Sequence, residues 1–337
     1  MHRRSFLAHA GTLALGAALA PAYATPSHLA NPTSAPVPEG ARVLPFQISL
    51  SQWGFHRAIF GDAREDYDWF IRTLHETPDA VLRGPMDTRD IVVRAQELGV
   101  NTVDLVNILF FARRTDEAWL RAFKAYGEDH GVTFAVLMLD EAGHLGASDP
   151  QARRRAIDLH RSWMDAAAIL GCTSIRANAY GDGTYLAQLE QNAESMLVLA
   201  EYAASLNVDL LVENHGHPSS NAAWLAMLME SVNHPQLGVL ADFDNFFMGG
   251  WGHVPERRYD TRQGMLDLAP YTRALSAKSY AFDSAGNETS VDFEMCIDIA
   301  LEAGFSGYAS AEFEGSTLGE YEGSEKTIAL LKRFQGR

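Results

Sequence analysis

Along this chain, helix-period stretches alternate with short apolar runs, and the joint between them recurs in one form. Ala95-Gln96-Glu97-Leu98-Gly99-Val100 leads into Thr102–Val106, and Glu128-Asp129-His130-Gly131-Val132 leads into Phe134–Leu137. Ile169-Leu170-Gly171-Cys172, Ser205-Leu206-Asn207-Val208 and Glu302-Ala303-Gly304-Phe305 repeat the pattern farther on. Each reads as a helix stopped by Gly or Asn in the left-handed conformation, an apolar residue, and then a strand. Five such joints imply repeated βα units and a parallel sheet. With Phe46–Leu50, Leu237–Asp242 and Arg273–Lys278 added, strands are predicted near 45–51, 101–107, 132–139, 173–178, 208–213, 237–242, 273–279 and 308–313. The clearest intervening helices are 149–170, 185–206, 219–233 and 290–303. Eight strands with helices between them predict an α/β fold, an eight-stranded parallel (β/α)8 barrel over residues 44–337. An open doubly wound sheet is disfavoured because no Gly-rich phosphate fingerprint follows the first strand.

Two longer segments interrupt this rhythm and are expected as loops over the barrel mouth. Residues 52–85 carry Trp53, Phe55, His56, Tyr67 and Trp69, with an amphipathic turn or two near 67–74. Residues 246–263 hold Trp251 and His253 among glycines, then Arg257-Arg258. Their aromatic residues suit either packing or stacking on a sugar ring.

The N-terminus changes the picture of where the protein works. Arg3-Arg4-Ser5-Phe6-Leu7, an apolar run over 8–20 and Ala22-Tyr23-Ala24 form an export signal over residues 1–24, too short for a permanent membrane span. The paired arginines before Phe and Leu resemble a twin-arginine signal, which predicts a periplasmic protein. A Pro-, Ala- and Ser-rich linker follows over 25–43. Removing 1–24 takes away two arginines and no acids, so the formal charge moves from −16 to −18. That acidity argues against nucleic acid as a partner. Cys172 and Cys296 are expected as buried thiols rather than a disulfide framework.

Candidate chemistry collects at the predicted C-terminal strand ends, where parallel barrels carry their sites. The fifth strand ends Leu210-Leu211-Val212-Glu213-Asn214-His215-Gly216, and alternation lets Glu213 and His215 face one ligand. The other ends offer Arg176 and Asn178, Asp242 and Asn245, Lys278, then Glu312 and Glu314; Asp140 and Glu141 read only as helix-start acids. Glu213, Asp242 and Glu312 converging in one mouth would repel one another, and a divalent cation is the expected remedy. An oxygen-rich set favours Mn, Mg or Co, with Zn also open.

The set Glu213-Asn214-His215-Gly216, Asp242-x-x-Asn245, Lys278-Ser279 and Ala311-Glu312-Phe313-Glu314-Gly315 resembles the xylose-isomerase-like barrel superfamily of sugar isomerases and epimerases, over roughly residues 44–335. The resemblance implies metal ligation by Glu213, Asp242 and Glu312. The family's strand-seven His-x-Lys reads Ser276-Ala277-Lys278 here, so that His has no counterpart. His215 is then either the missing ligand or a group that orients Glu213. The implied reaction is proton abstraction next to a sugar carbonyl, with Glu213 and Glu312 as acid and base and Lys278 opposite the oxyanion. Arg176, Asn178, His215 and Asn245 would bind the small-molecule sugar. The same chemistry could instead eliminate a glycosidic oxygen from a 3-keto-glycoside, making a lyase or hydratase. A sugar-binding protein without catalysis is a third class, which would not need three convergent acids.

Overall fold

The structure is a computed structural model that describes residues 44–249 and 254–336. The expected export signal over 1–24, the linker over 25–43, and Trp251 and His253 of the second insertion lie outside the described residues.

Eight strands, β1 (Gln47–Ser51), β2 (Thr102–Val106), β3 (Thr133–Met138), β4 (Ser174–Ala177), β5 (Asp209–Glu213), β6 (Leu237–Asp242), β7 (Thr272–Ser279) and β8 (Tyr308–Phe313), pair in sequence order and close between β8 and β1. Every pairing is parallel. The (β/α)8 barrel expected from the joints is therefore the fold. Each joint works as its sequence implies: Gly99, Gly131, Gly171, Asn207 and Gly304 all have φ between 55° and 88°. Gly adopts this region without a Cβ penalty, and Asn tolerates it.

Among the described residues, ten α-helices accompany the strands: α1 (His56–Phe60), α2 (Tyr67–Glu76), α3 (Ile91–Glu97), α4 (Glu117–Asp129), α5 (Pro150–Leu170), α6 (Tyr185–Leu206), α7 (Ala222–Val232), α8 (Thr261–Leu268), α9 (Phe293–Glu302) and α10 (Glu320–Gln335). The starts of the longer ones are written in side chains. Asp149 accepts from the main-chain N–H groups of Gln151 and Ala152, and Thr184 from that of Ala187. Strands covered on both faces read as continuous apolar runs, and β6 is buried at every position. The two cysteines are buried free thiols. Among the described residues, no helix is long and apolar enough to cross a membrane.

The first insertion differs from the expected loop. It folds into 3-10 turns at Gln52–Phe55 and Pro78–Val81 around α1 and α2. Asp66 caps α2 through the Trp69 N–H, and Phe70 and Leu74 lie four apart on its buried face. Phe60 of α1 meets Phe70 of α2 edge-on at 5.0 Å, which holds the two helices of this cover together. The amphipathic stretch read near 67–74 is α2, whereas the 3-10 turns and α1 carry too few periodic positions to stand out in a sequence.

Candidate functional site at the strand ends

A cavity of about 470 Å3 opens at the C-terminal ends of the strands. Its lining draws on the first insertion (Trp53, His56, Tyr67), on β3 and β4 with the loops that follow (Asp140, Arg176, Tyr180), and on β5, β7 and β8 (Glu213, Lys278, Glu312). A second concavity of about 290 Å3, between α8 and α9, is shallow and away from these strand ends.

Strand register builds the centre. Lys278 on β7 lies directly opposite Glu312 on β8. The Lys278 ammonium is 3.2 Å from Asp242 Oδ2, 3.5 Å from Glu312 Oε1 and 3.2 Å from Glu314 Oε1, and it donates to Asn245 Oδ1 at 3.0 Å. Asp242 Oδ1 accepts the main-chain N–H groups of Asp244 (2.7 Å) and Asn245 (2.8 Å), which accounts for the Asp-x-x-Asn spacing. Asn245 then donates to Glu213 Oε1 at 2.9 Å, so one amide ties the acid of β5 to the lysine of β7. Arg176 Nε lies 2.8 Å from Glu213 Oε2 as an ion pair, although its N–H is not aligned along that line. Ser51 donates to Glu312 Oε2 at 2.8 Å.

Two asparagines set the strand ends with the same device. Asn214 accepts from the Asp242 N–H and donates to its carbonyl; Asn107 does the same to Asp140. Each side-chain amide extends the sheet ladder by one rung and fixes the acid on the neighbouring strand.

Five carboxyls (Asp140, Glu213, Asp242, Glu312, Glu314) share two buried cations, Arg176 and Lys278. Burial pushes Glu213 up to about 8, against the pull of Arg176, and Asp242 and Glu312 add to the rise. Burial likewise raises Glu312 to about 7, against Lys278. Asp140 is half-buried, which also favours its neutral form, but the charge of Arg176 outweighs that and holds it down at about 2. Burial raises Asp242 as well, against the pull of Lys278, so near neutral pH the protons retained by the cluster are shared among Glu213, Asp242 and Glu312 as a group.

The walls are aromatic. Trp53 stacks on His56, with centroids 4.3 Å apart and planes at 12°, and its indole N–H donates to Glu314 Oε1 at 2.9 Å. The guanidinium of Arg64 lies over the Trp53 ring at 4.8 Å. Across the cavity, Tyr180 Oη and His215 Nδ1 share a 2.6 Å hydrogen bond. Burial, reinforced by Arg176, lowers His215 to about 3, so its imidazole is neutral.

Glu213, Lys278, Glu312, Arg176, Asn178 and His215 all line this cavity. Asp242 and Asn245 do not; they are buried behind it. Arg176 and Asn178, expected on substrate hydroxyls, line the cavity and also hydrogen-bond within the protein. Arg176 donates to Leu139 O, Asp140 Oδ1 and Asn178 Oδ1, and Asn178 donates to Asp140 Oδ1. Asn245 is also bonded within the protein, its amide being taken by Glu213 and Lys278. Of the three tryptophans expected over the mouth, Trp53 lines the cavity, whereas Trp69 lies under Arg83 at 3.9 Å. Sequence reasoning passed over Asp140, whose place depends on an arginine 36 residues away, and Tyr180, which follows β4 without a motif. Glu314, offered by the sequence beside Glu312 at the end of the eighth strand, does line the cavity, two residues on along an extended chain.

The family resemblance also implied a divalent metal on Glu213, Asp242 and Glu312, with His215 as a further ligand. The donor set does not fit one. Among the described residues, no three His, Cys, Asp or Glu side chains are grouped to hold an ion. The carboxylates meet around the Lys278 ammonium and the Arg176 guanidinium, and His215 Nδ1 is engaged by Tyr180.

No curated protein matches the chain. Among solved structures it is similar to a sugar phosphate isomerase/epimerase from Parabacteroides distasonis, at 14% identity and a TM-score of 0.58, covering 90% of this chain and 98% of that one. It is also similar to the 3-keto-D-glucoside 4-epimerase of E. coli, at 13% identity and 0.57, covering 74% and 95%. The zinc-bound IolI protein is a third, at 13% identity and 0.57, covering 72% and 91%. At these identities the likeness shows a shared fold. The profile of the xylose isomerase-like TIM barrel family matches residues 92–334, well over half of the sequence, and the chain belongs to that family.

Proposed function

We propose that the protein is an exported sugar isomerase or epimerase that moves a proton next to a carbonyl. One observation carries the reading: Glu213 and Glu312 enter one cavity from different strands, and both are pushed by burial into the range where a carboxyl exchanges protons near neutral pH. A carboxyl that is ionised takes the proton α to the carbonyl as the C–H bond breaks and its electron pair moves into an enediolate. The other, still protonated, returns a proton to the opposite face or the adjacent carbon. Lys278 faces the developing oxyanion with a fixed positive charge. Trp53 and Tyr67 give the cavity apolar faces for a sugar ring. Membership in a family whose structural neighbours include epimerases of free and 3-keto sugars supports this substrate class.

The test is a screen of free ketoses, aldoses and 3-keto-glycosides in D2O, with products read by NMR. Turnover should place one deuterium at the carbon that changes configuration, or at the adjacent carbon in an isomerisation. Glu213→Gln and Glu312→Gln should each lower kcat by about 10²–10⁴-fold. Release of an aglycone would replace this reading with the lyase. Wild-type turnover in both variants would refute the roles of the two acids, and sugar binding without turnover would leave a binding protein.

A further inference from the structure

We propose that the Lys278 ammonium stands in the place of a metal cation in this barrel, so that the acid cluster works without a divalent ion and becomes a metal site only when the lysine is removed. The geometry is that of a cation in an oxygen cage. Four oxygens, from Asn245, Asp242, Glu314 and Glu312, lie 3.0–3.5 Å from the one nitrogen. These are ammonium distances. A divalent ion would need oxygens at about 2.0–2.6 Å and would sit against a buried like charge. Lys278 is 4% exposed, so its ammonium is held among these oxygens rather than in solvent.

A second observation agrees independently. Two residues before Lys278, on the same side of β7, Ser276 stands where the resemblance calls for a histidine ligand. Its hydroxyl is buried without a hydrogen-bond partner, so β7 supplies a filled cation position and no imidazole. At the far side of the cluster, Arg176 neutralises Glu213 in the same manner.

This inference rests on the cluster's geometry, and its test needs no substrate. The probe is Mn2+, offered to the full chain purified without chelator, then desalted and measured by elemental analysis and by thermal unfolding with Mn2+ or EDTA. Wild type should retain far less than one manganese per chain and melt at the same temperature in either. Lys278→Ala should bind Mn2+ about 10–100-fold more tightly than wild type, and Mn2+ should raise its melting temperature. Should that variant fail to fold in EDTA, refolding it with and without Mn2+ reads the same gain. One tightly held metal per wild-type chain, lost to EDTA with a fall in melting temperature, would overturn the proposal. A folded Lys278→Ala that binds no better than wild type would overturn it as well.

Discussion

Replacing Asp104 by Asn should stabilise this protein at neutral pH and do nothing at pH 4. Asp104 sits on β2 inside the barrel, 2% exposed. At that point the β2–β3 register shifts, between Val103 and Leu105, and the Asp104 carboxylate fills the gap by accepting the Val136 N–H at 3.1 Å. Its other oxygen accepts from the Ser49 hydroxyl at 2.6 Å. Together with the Ser310 hydroxyl, those bonds do not offset burial, which lifts its pKa from 3.8 to about 6. An acid whose folded pKa is raised stabilises the fold below its unfolded pKa, and that stability is lost as pH rises through the folded value. A shift of about two units corresponds to about 3 kcal/mol, lost between about pH 4 and pH 6–7.

Asn keeps the geometry, since its Oδ1 can accept from Val136 and its Nδ2 can donate to a rotated Ser49 hydroxyl. In urea unfolding, the gain of Asp104→Asn over wild type should grow from near zero at pH 4 to about 3 kcal/mol at pH 8, a midpoint shift of about 1 M for a slope near 3 kcal/mol/M. Asp104→Ala separates charge from hydrogen bonding. It leaves the Val136 N–H without an acceptor and should be less stable than wild type at pH 4, by about 1–3 kcal/mol. A gain for Asp104→Asn that is absent at pH 8, or equal at both pH values, would refute the claim that this carboxylate is ionised at a cost.

Three further outcomes are expected. Trp53→Ala removes a cavity wall and the donor to Glu314, so KM for the turned-over sugar should rise about tenfold or more, with unfolding changed by less than the loss of a core aromatic; unchanged KM would make Trp53 packing only. Arg176→Met leaves Glu213 and Asp140 buried without their cation, and urea unfolding should show a loss of about 3–5 kcal/mol; a loss below 1 kcal/mol would mean the acids protonate at little expense. Changing Arg3 and Arg4 together to Lys should leave precursor in the cytoplasm, and unchanged export without the twin-arginine translocase would exclude that route.

What the sequence revealed and what it concealed divide along the range of the interactions. A left-handed residue between helix and strand is a local steric demand that Gly and Asn meet, so five joints were legible, and β6 and β8 have the bounds read from the sequence. The acids at strand ends were legible too, because a Glu after Leu-Leu-Val has few inexpensive places to go. Which cation answers those acids was not legible. Lys278 lies within five residues of no acid it contacts; its partners come from β6, from β8 and from the segment after β8. Asp140 was misread for the same reason, since a helix-start acid and the partner of Arg176 look alike until β3 and β4 are placed side by side.

The barrel interior carries a further consequence. Ser276 precedes Lys278 by two residues, Ser310 precedes Glu312, and Ser49 precedes Ser51, so on β7, β8 and β1 the residue at the site has a serine beneath it on the same face of its strand. Interiors of such barrels are ordinarily filled by bulky branched residues. Here β1, β2, β7 and β8 place Ser49, Asp104, Ser276 and Ser310 below the site, and the hydroxyl of Ser276 is buried without a partner. A floor of small side chains leaves space for the long ones of Lys278 and Glu312 to pack inward rather than toward the mouth, and it forgoes apolar burial that branched residues would supply. The expected gain from Asp104→Asn measures one part of that sacrifice. If the floor holds the cluster in place, Ser276→Val and Ser310→Val should also raise stability while lowering kcat, because a larger floor would lift the lysine and the acid out of register.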